Sequence, residues 1–533
     1  MSILPERLSA SCLCFCLCFT FLICGCDNKE DGTPSKTNSS DVESDSSDTN
    51  VTTDSSSTEV SESGVVMIEG ELSLVDWDSM IDKEVMIKGD LVIVDTYDLA
   101  RRGQVKVSRA RLYVPTNMVD PNDADPEQTS FEGGSNVKAV SGFQKNNDEA
   151  VLMLDDGSDE QNVFPPKLFP ELGESHPSVR IGSVIHGVRG VIKKERNKLA
   201  LIPSEKLDWN PAERPERPEV GQADLKIASF NVLNYFSTID DGNNRARGAD
   251  SASEKQRQLS KIVSAIIALD ADVIGLMELE NNLEAEEQLV TALNEQAGSE
   301  IYQGCGLPNG FRDAPGSDNA IRVGLIYRKD KVDPADDVSM ISDAAFELAR
   351  TPLVQTFTSK TGGTPVTVIV NHFKSKGGSN RAEGADKNNG DGQGAYNATR
   401  TGQALAICNY IEGLKKTGDD PRVLVMGDLN AYAEEDPIDA LRAKGLVDLK
   451  AKISSENNDP HYSYIYYGQS GSLDHAMATE ALADDVTGVA IWHINADEPR
   501  FLDYNEEYNP KSLYQADPFR SSDHDPVLIG IKR

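Results

Sequence analysis

Val423-Leu-Val-Met-Gly-Asp428-Leu-Asn430 runs from four apolar residues straight into glycine, a carboxylate and an amide. A short apolar run bounded by turn formers reads as a strand buried on both faces, the kind found in sheets covered by helices. The grammar repeats along the chain. Leu225-Lys-Ile-Ala-Ser-Phe230 stops at Asn231, Asp272-Val-Ile-Gly-Leu-Met-Glu278 at Glu278, and Val366-Thr-Val-Ile-Val-Asn-His372 at His372. Ser472-Leu-Asp474-His475 enters a further strand, and Ser521-Ser-Asp523-His524-Asp525-Pro526 leads into the last. Strands are therefore expected at 272–278, 323–328, 365–372, 422–427, 472–477 and 526–531, with helices near 282–296, 397–414 and 436–443. Ser251 and Glu254 are spaced as a capping box for another helix, whose Leu259, Ile262, Val263, Ile266 and Ile267 share one face. Alternating strands and helices define an α/β fold.

Open α/β sheets gather their ligands at strand ends. Gly427-Asp428-Leu429-Asn430 alone could be an Asx turn, and Asp523-His524-Asp525-Pro526 alone a turn before a strand. Six apolar strands each meeting Asn, Glu, His or Asp at one end point instead to a site assembled from scattered segments. Its oxygen-rich donors suit Mg²⁺, Mn²⁺ or Ca²⁺ better than zinc. A histidine beside a carboxylate can take a proton from water while the carboxylate fixes its tautomer. Hydrolysis of a phosphate ester is the chemistry such a set supports. A serine-hydrolase reading fails for want of a Gly-x-Ser-x-Gly elbow. Asp386-Lys-Asn-Asn-Gly-Asp-Gly-Gln393 looks calcium-like but lacks the EF-hand order, and reads as a long mobile loop over the site.

These residues resemble the endonuclease/exonuclease/phosphatase superfamily, to which DNase I belongs, over about residues 223 to 533. A closer resemblance, to large secreted bacterial deoxyribonucleases, rests on Phe230-Asn-Val-Leu-Asn-Tyr-Phe236, Arg247-Gly-Ala-Asp250, Arg257-Gln258, Gly275-Leu-Met-Glu-Leu-Glu-Asn281, Asn371-His-Phe-Lys-Ser-Lys376 and Asp391-Gly-Gln-Gly394. Tyr97-Asp-Leu-Ala-Arg-Arg-Gly103 and Leu154-Asp-Asp-Gly-Ser158 extend it toward the N-terminus. The resemblance implies a DNase I-like four-layer α/β sandwich. It implies Glu278 as main metal ligand, with Asn231, Asp428, Asn430 and Asp523 completing a metal and phosphate site. His524 would activate water, Asp474 would orient His524, and His372 would bind the scissile phosphate or protonate the leaving oxygen. Arg328, Lys374 and Lys376 are candidates for phosphate contact, a solvated loop being the plain reading of the two lysines. His475 is expected to face away, and His461 and His493 carry no assignment.

The first 26 residues hold one cation, Arg7, then an apolar stretch from Ser11 to Ile23 and Ile23-Cys24-Gly25-Cys26. This is a signal-peptide pattern ending in a lipobox, with Cys26 as the lipidated residue, simple secretion being the alternative. Residues 27–64 are Ser, Thr, Asp and Glu with ten acids against two lysines, a composition that cannot bury a core and is expected to form a tether. Between 65 and 209 the strand signals, including Val85–Val94, Gln104–Tyr113, Val151–Leu154 and Val184–Ile192, suggest a small all-β barrel of the OB type. Its Arg101, Arg102, Lys106, Arg109, Arg111 and Tyr113 form the best local basic patch, and His176 and His186 are taken as structural. A proline-rich linker spans 210–222, and the catalytic region follows from 223 to 533. After removal of the signal and lipidation of Cys26, Cys305 and Cys408 remain, an even pair that can form a disulfide in an oxidising compartment or stay as two buried thiols.

The 533-residue chain has 87 acidic and 52 basic side chains, a net charge of −35, which excludes a basic groove of the usual kind for nucleic acid. No apolar run reaches the roughly 18 residues of a membrane span. A metal held by site carboxylates reconciles this charge with a phosphate substrate. The expected function is thus an exported, membrane-tethered, divalent-metal-dependent nuclease acting on DNA or also RNA, anchored only through Cys26 and facing periplasm or exterior. The same fold acting on sphingomyelin or inositol phosphates is the alternative, followed by a non-catalytic nucleic-acid-binding surface protein.

Overall fold

The computed structural model describes residues 57–532 apart from 62–63, 123–124, 126–134, 174–175, 196–197, 416–419 and 453–459. The signal pattern, Cys26 and most of the acidic tether lie outside the described residues. Two sheets carry the C-terminal part of the chain. One is six-stranded, in the order Tyr302–Gly304, Ile321–Arg328, Val273–Glu280, Leu225–Tyr235, Val527–Ile531, Val486–Ile491. The other is seven-stranded, running Val332–Pro334, Leu353–Ser359, Val366–His372, Val423–Asp428, Asp474–Thr479, Leu446–Asp448, with Ser339–Met340 paired to Leu353–Ser359.

Because side chains alternate across a strand, each sheet feeds two cores. Ile227, Val273 and Met277 of the first sheet meet Val368, Val370, Leu424 and Met426 of the second. Their neighbours Ala228, Phe230, Ile274 and Leu276 turn outward onto helices Ala252–Leu269 and Glu284–Ala297. Ile369, Val425 and Met477 do the same for helices Asn397–Lys415 and Asp436–Ala443. The result is helix, sheet, sheet, helix: the four-layer sandwich. Gly275 keeps the two sheets close, since a Cβ there would stand 2.4 Å from Met426 Cε. The capping box is half made. Ser251 accepts from Glu254 N–H, but Glu254 reaches back to the N–H of Asp250 rather than Ser251.

This layering separates the two cysteines. Cys305 packs on the core between the sheets, whereas Cys408, on helix Asn397–Lys415, lies in the outer core beneath that helix. Both are free thiols, so the Cys305–Cys408 disulfide does not form.

Toward the N-terminus, Glu84–Asp95, Gln104–Ser108, Leu152–Asp155, Lys198–Pro203 and Val184–Glu195 pair in turn, and the last pairs back with the first, closing a five-stranded ring. Ile87, Ile93, Val107, Leu154, Ile185 and Leu201 fill it, and Phe501, Leu502 and Leu513 from the far end of the chain join the same core. This region is not all-β. Helix Val137–Glu149 interrupts the ring between two strands and leaves only Val140 and Asn147 buried. The segment before that helix is stitched to the catalytic layers. Leu112–Tyr113 adds a parallel strand beside Gln469–Gly471, Thr116 donates to Glu435 at 2.7 Å, and Arg111 pairs with Asp497 at 2.9 Å. Arg180, buried, donates to Glu498. Arg109 spends its guanidinium on the carbonyls of Gly70 and Asp90, so, with Arg111 on Asp497, two members of the basic patch read from the sequence serve structural roles. Among the described residues, no helix is long and apolar enough to cross a membrane.

Candidate active site

Three adjacent strands of the seven-stranded sheet deliver three polar residues side by side. Parallel pairing sets His372 opposite Asp428, and antiparallel pairing sets Asp428 opposite Asp474. A one-residue slip on either strand would turn a residue to the wrong face. His372 Nε2 stands 3.2 Å from Asp428 Oδ2. Gly427 makes that row possible: its φ is +132°, and a Cβ would sit 2.0 Å from the Asn371 carbonyl oxygen. Beyond Asp428 the chain turns sharply. Asn430 has φ +49°, gives its backbone N–H to Asp428 Oδ1 at 2.9 Å, and donates its side-chain amide to the Phe373 carbonyl.

The six-stranded sheet supplies the opposite wall by breaking its own pattern. The pairing of Leu225–Tyr235 with Val273–Glu280 shifts register between Asn231 and Tyr235, and Val273–Glu280 shifts against Ile321–Arg328 between Leu276 and Leu279. Glu278 sits in the second irregularity with φ +68°, and Leu233 and Asn234 in the first with φ 52° and 48°. Non-glycine residues rarely adopt such backbone, and bulges of this kind re-aim side chains at functional sites. Asn231 Nδ2 donates to Asp428 Oδ2 at 3.3 Å, and Asn234 N–H donates to Glu278 Oε2 at 2.9 Å. Glu278 Oε1 faces His372 Nε2 at 4.0 Å.

His524 completes the cluster from the loop before the last strand. Its Nδ1 lies 2.7 Å from Asp474 Oδ2, which also accepts from Ser463 Oγ, and its Nε2 lies 4.0 Å from Asp428 Oδ2. Tyr464 covers the imidazole at a centroid distance of 4.6 Å.

The electrostatics follow from burial and from who faces whom. Burial raises Glu278, and the Asp523 charge adds to it. Burial and the neighbouring Arg350 charge push His372 down to about 4, leaving it neutral near pH 7. Burial works against charge on Asp428, yet its bond to His372 and the nearness of His524 carry it well below the usual carboxylate range. Burial likewise opposes an imidazolium at His524, but Asp474, then Asp428 and Asp523, hold it well above the usual histidine range. Glu278, Asp523, Asp428 and the amide of Asn231 thus form an oxygen-rich, negatively charged pocket. Asn234 Oδ1, buried with no hydrogen-bond partner, lies on the residue that bonds Glu278. Such oxygen donors fit a divalent cation.

Sequence reasoning missed Arg350. It is buried, donates to the Phe373 carbonyl at 2.7 Å, and burial draws it down to about 10 against the pull of Asp428 and Glu278. It lies in the loop before Leu353–Ser359, a strand without a polar end motif, so no local pattern marks it.

Arg328 is a correction. Ile321–Arg328 runs antiparallel to Val273–Glu280, so its last residue lies beside the start of that strand, at the far end from Glu278. Its guanidinium pairs with Asp270 at 2.9 Å and Asp330 at 3.0 Å. Lys374 stays near the site, with Nζ 3.8 Å from the Tyr396 ring centroid and bonded to the carbonyls of Ser375 and Gly377. Lys376 is no solvated lysine: its Nζ is bonded to Glu435 and to the Gln393 carbonyl. The loop expected to be mobile over the site is pinned. Gln393 is buried and accepts from Asp436 N–H, Arg400 donates to the Gln393 carbonyl, and Asp386 takes both the N–H and the hydroxyl of Thr399. His475 faces away, with Nε2 on the Ala431 and Ser472 carbonyls. Among the described residues, the group of three carboxylates whose oxygens all lie within 4.8 Å of one another is a different one, Asp250, Glu254 and Glu507, two of them exposed.

A sequence profile described as “Endonuclease/Exonuclease/phosphatase family” matches residues 228–524, and the chain belongs to that family. Its members are phosphodiesterases and phosphatases that typically use a divalent metal. Among solved structures, the human Nocturnin catalytic domain matches with 14% identity and a TM-score of 0.38, covering 58% of this chain and 95% of that one. A Bacteroides thetaiotaomicron mannosyl-6-phosphatase matches with 17% identity and a TM-score of 0.37, covering 58% of this chain and 100% of that one. D. rerio TDP2 complexed with a single-strand DNA product matches with 17% identity and a TM-score of 0.37, covering 58% of this chain and 99% of that one. No curated protein sequence matches the chain.

Proposed function

We propose that this protein is an exported nuclease that hydrolyses phosphodiester bonds of DNA, with RNA a second candidate substrate, and that a lipid at Cys26 tethers it to a membrane, facing periplasm or exterior. The observation that carries the reading is the His524–Asp474 pair facing Asp428, Asn231, His372 and Glu278 across one pocket. Asp474 holds the proton on His524 Nδ1 and leaves Nε2 toward the pocket, where it can take a proton from an attacking water. Neutral His372 donates to the phosphate or to the leaving oxygen, and Asn231 and Asn430 orient the phosphate through their amides. Glu278 and Asp523, with Asp428, would hold Mg²⁺ or Mn²⁺, with Ca²⁺ a third candidate. When bound, that ion would neutralise phosphate oxygens and offset the carboxylates that keep His524 protonated.

The N-terminal ring supports an OB-type module, because its strands close in five and one pairing, Leu152–Asp155 with Lys198–Pro203, is parallel. The test is degradation of supercoiled plasmid by residues 65–533 with Mg²⁺, Mn²⁺, Ca²⁺ or EDTA, beside His524→Ala. Metal-dependent nicking that the variant loses is expected, and early nicked circles would mark an endonuclease. A folded protein that cuts nothing with any metal would redirect the assignment to lipid or inositol phosphoesters.

A further inference from the structure

We infer that the groove between the N-terminal ring and the catalytic layers holds a single-stranded stretch of the nucleic acid on its way to the active site. The inference rests on the nuclease reading and extends it to the form of substrate. The groove has a volume of 810 Å³, and Lys106, Lys145, Lys376, Tyr432, Tyr466 and Tyr467 are among its lining residues. Tyr466 and Tyr467 are 55% and 73% exposed, and they face each other edge to face with centroids 4.5 Å apart. Two adjacent exposed aromatic rings at the lip of a cleft do no packing work for the core; they are faces on which bases can stack.

The groove is continuous with the catalytic residues. Tyr464, which covers His524, shares strand Tyr464–Tyr466 with the groove residue, so Tyr466 follows about 6.7 Å further on and on the same face. Tyr432 stands two residues beyond Asn430, with Lys376 Nζ 5.0 Å from its ring centroid. Charge agrees. In a chain of net charge −35, three lysines line this cleft against one carboxylate, Asp148. Lys376 is fixed by Glu435 and Lys106 by Asp95, while Lys145, its side chain 72% exposed, is held only by a surface pair with Glu149 one helical turn on, at 3.7 Å, which a phosphate can replace. A duplex keeps its base faces inside the stack, so tyrosine faces favour an unpaired strand.

The experiment measures binding of a fluorescein-labelled deoxythymidine oligonucleotide to the full chain in EDTA, by anisotropy. The parent is compared with Tyr466→Ala/Tyr467→Ala, Lys145→Glu and, as a control, the exposed Tyr508→Ala. Loss of two stacking faces is expected to weaken binding by at least about tenfold. Lys145→Glu, which touches no core, is expected to weaken it less and to flatten its salt dependence, and Tyr508→Ala to leave it unchanged. Unaltered binding in both groove variants, from a parent that binds and cuts, overturns the groove and spares the nuclease. Equal losses on a blunt duplex of the same length overturn the single-strand assignment. A parent that neither binds nor cuts nucleic acid removes the nuclease reading and the groove with it.

Discussion

The two sheets build their walls of the site in opposite ways. The seven-stranded sheet does so by staying regular: His372, Asp428 and Asp474 are cross-strand neighbours in an undistorted register. The six-stranded sheet does so by breaking register at Asn231 and again at Glu278, where the backbone enters the left-handed region. Regular pairing places groups in a row at fixed spacing, whereas a bulge turns one group out of its row toward a point. The pocket needs both, a row of proton-handling groups and a pair of residues aimed back at it.

Asp474→Asn attacks the regular wall where the chemistry is. It leaves the register intact and removes the charge that fixes His524, so kcat on plasmid or oligonucleotide is expected to fall by about 10²- to 10⁴-fold. A fall of less than tenfold would mean that the row is architecture and that the proton is moved elsewhere. Gly427→Ala attacks the same wall through its backbone. With a Cβ 2.0 Å from a carbonyl oxygen, the strand must shift, and a loss of about 3 kcal/mol or more in urea unfolding is expected. Glu278→Gly tests the bulged wall with the opposite sign. Glycine accepts the φ of +68° where alanine does not, and both remove the carboxylate, so activity should vanish in Glu278→Gly and Glu278→Ala alike while the glycine variant is the more stable of the two by about 1 kcal/mol. A Glu278→Gly no more stable than Glu278→Ala would show that the bulge stores no strain.

The smallest expected effect lies outside both walls. Burial raises Asp439 to about 7, the Asp120 charge adding to it, from an ordinary value of 3.8. The native state therefore keeps this proton where the unfolded chain has released it. Its stabilising effect is complete below pH 3.8 and is lost as pH rises through 7. Asp439→Asn should flatten that decline and raise the melting temperature at pH 8 by a few degrees. An unchanged pH profile would place the proton elsewhere.

The regular wall was legible because its signal is local. Val366–His372 and Val423–Asp428 each carry an apolar run with the functional residue at its end, and the expected strand limits fall within a residue or two of those observed. Glu278 was legible as a strand end, but nothing in Leu276-Met277-Glu278-Leu279 announces a left-handed residue. Arg328 was misread for a related reason: a polar strand end marks the site only if the strand runs the right way, and direction is set by pairing. Helix Val137–Glu149 escaped notice because it buries so little that its apolar positions form no stripe.

What the sequence by itself determined is the alternation of elements, the two faces of each strand and the chemical kinds of residue at the strand ends, all of which follow from periodicity and turn chemistry over a few residues. Only the tertiary structure decided which ends meet. It sent Arg328 to the far edge, kept Cys305 and Cys408 in separate cores, brought Arg350 beneath Glu278 and Asp428, and closed a groove between segments more than three hundred residues apart, such as Tyr113 and Ser470. These outcomes depend on strand direction, register and layer order, which arise when distant apolar faces bury one another and which no short window of sequence contains.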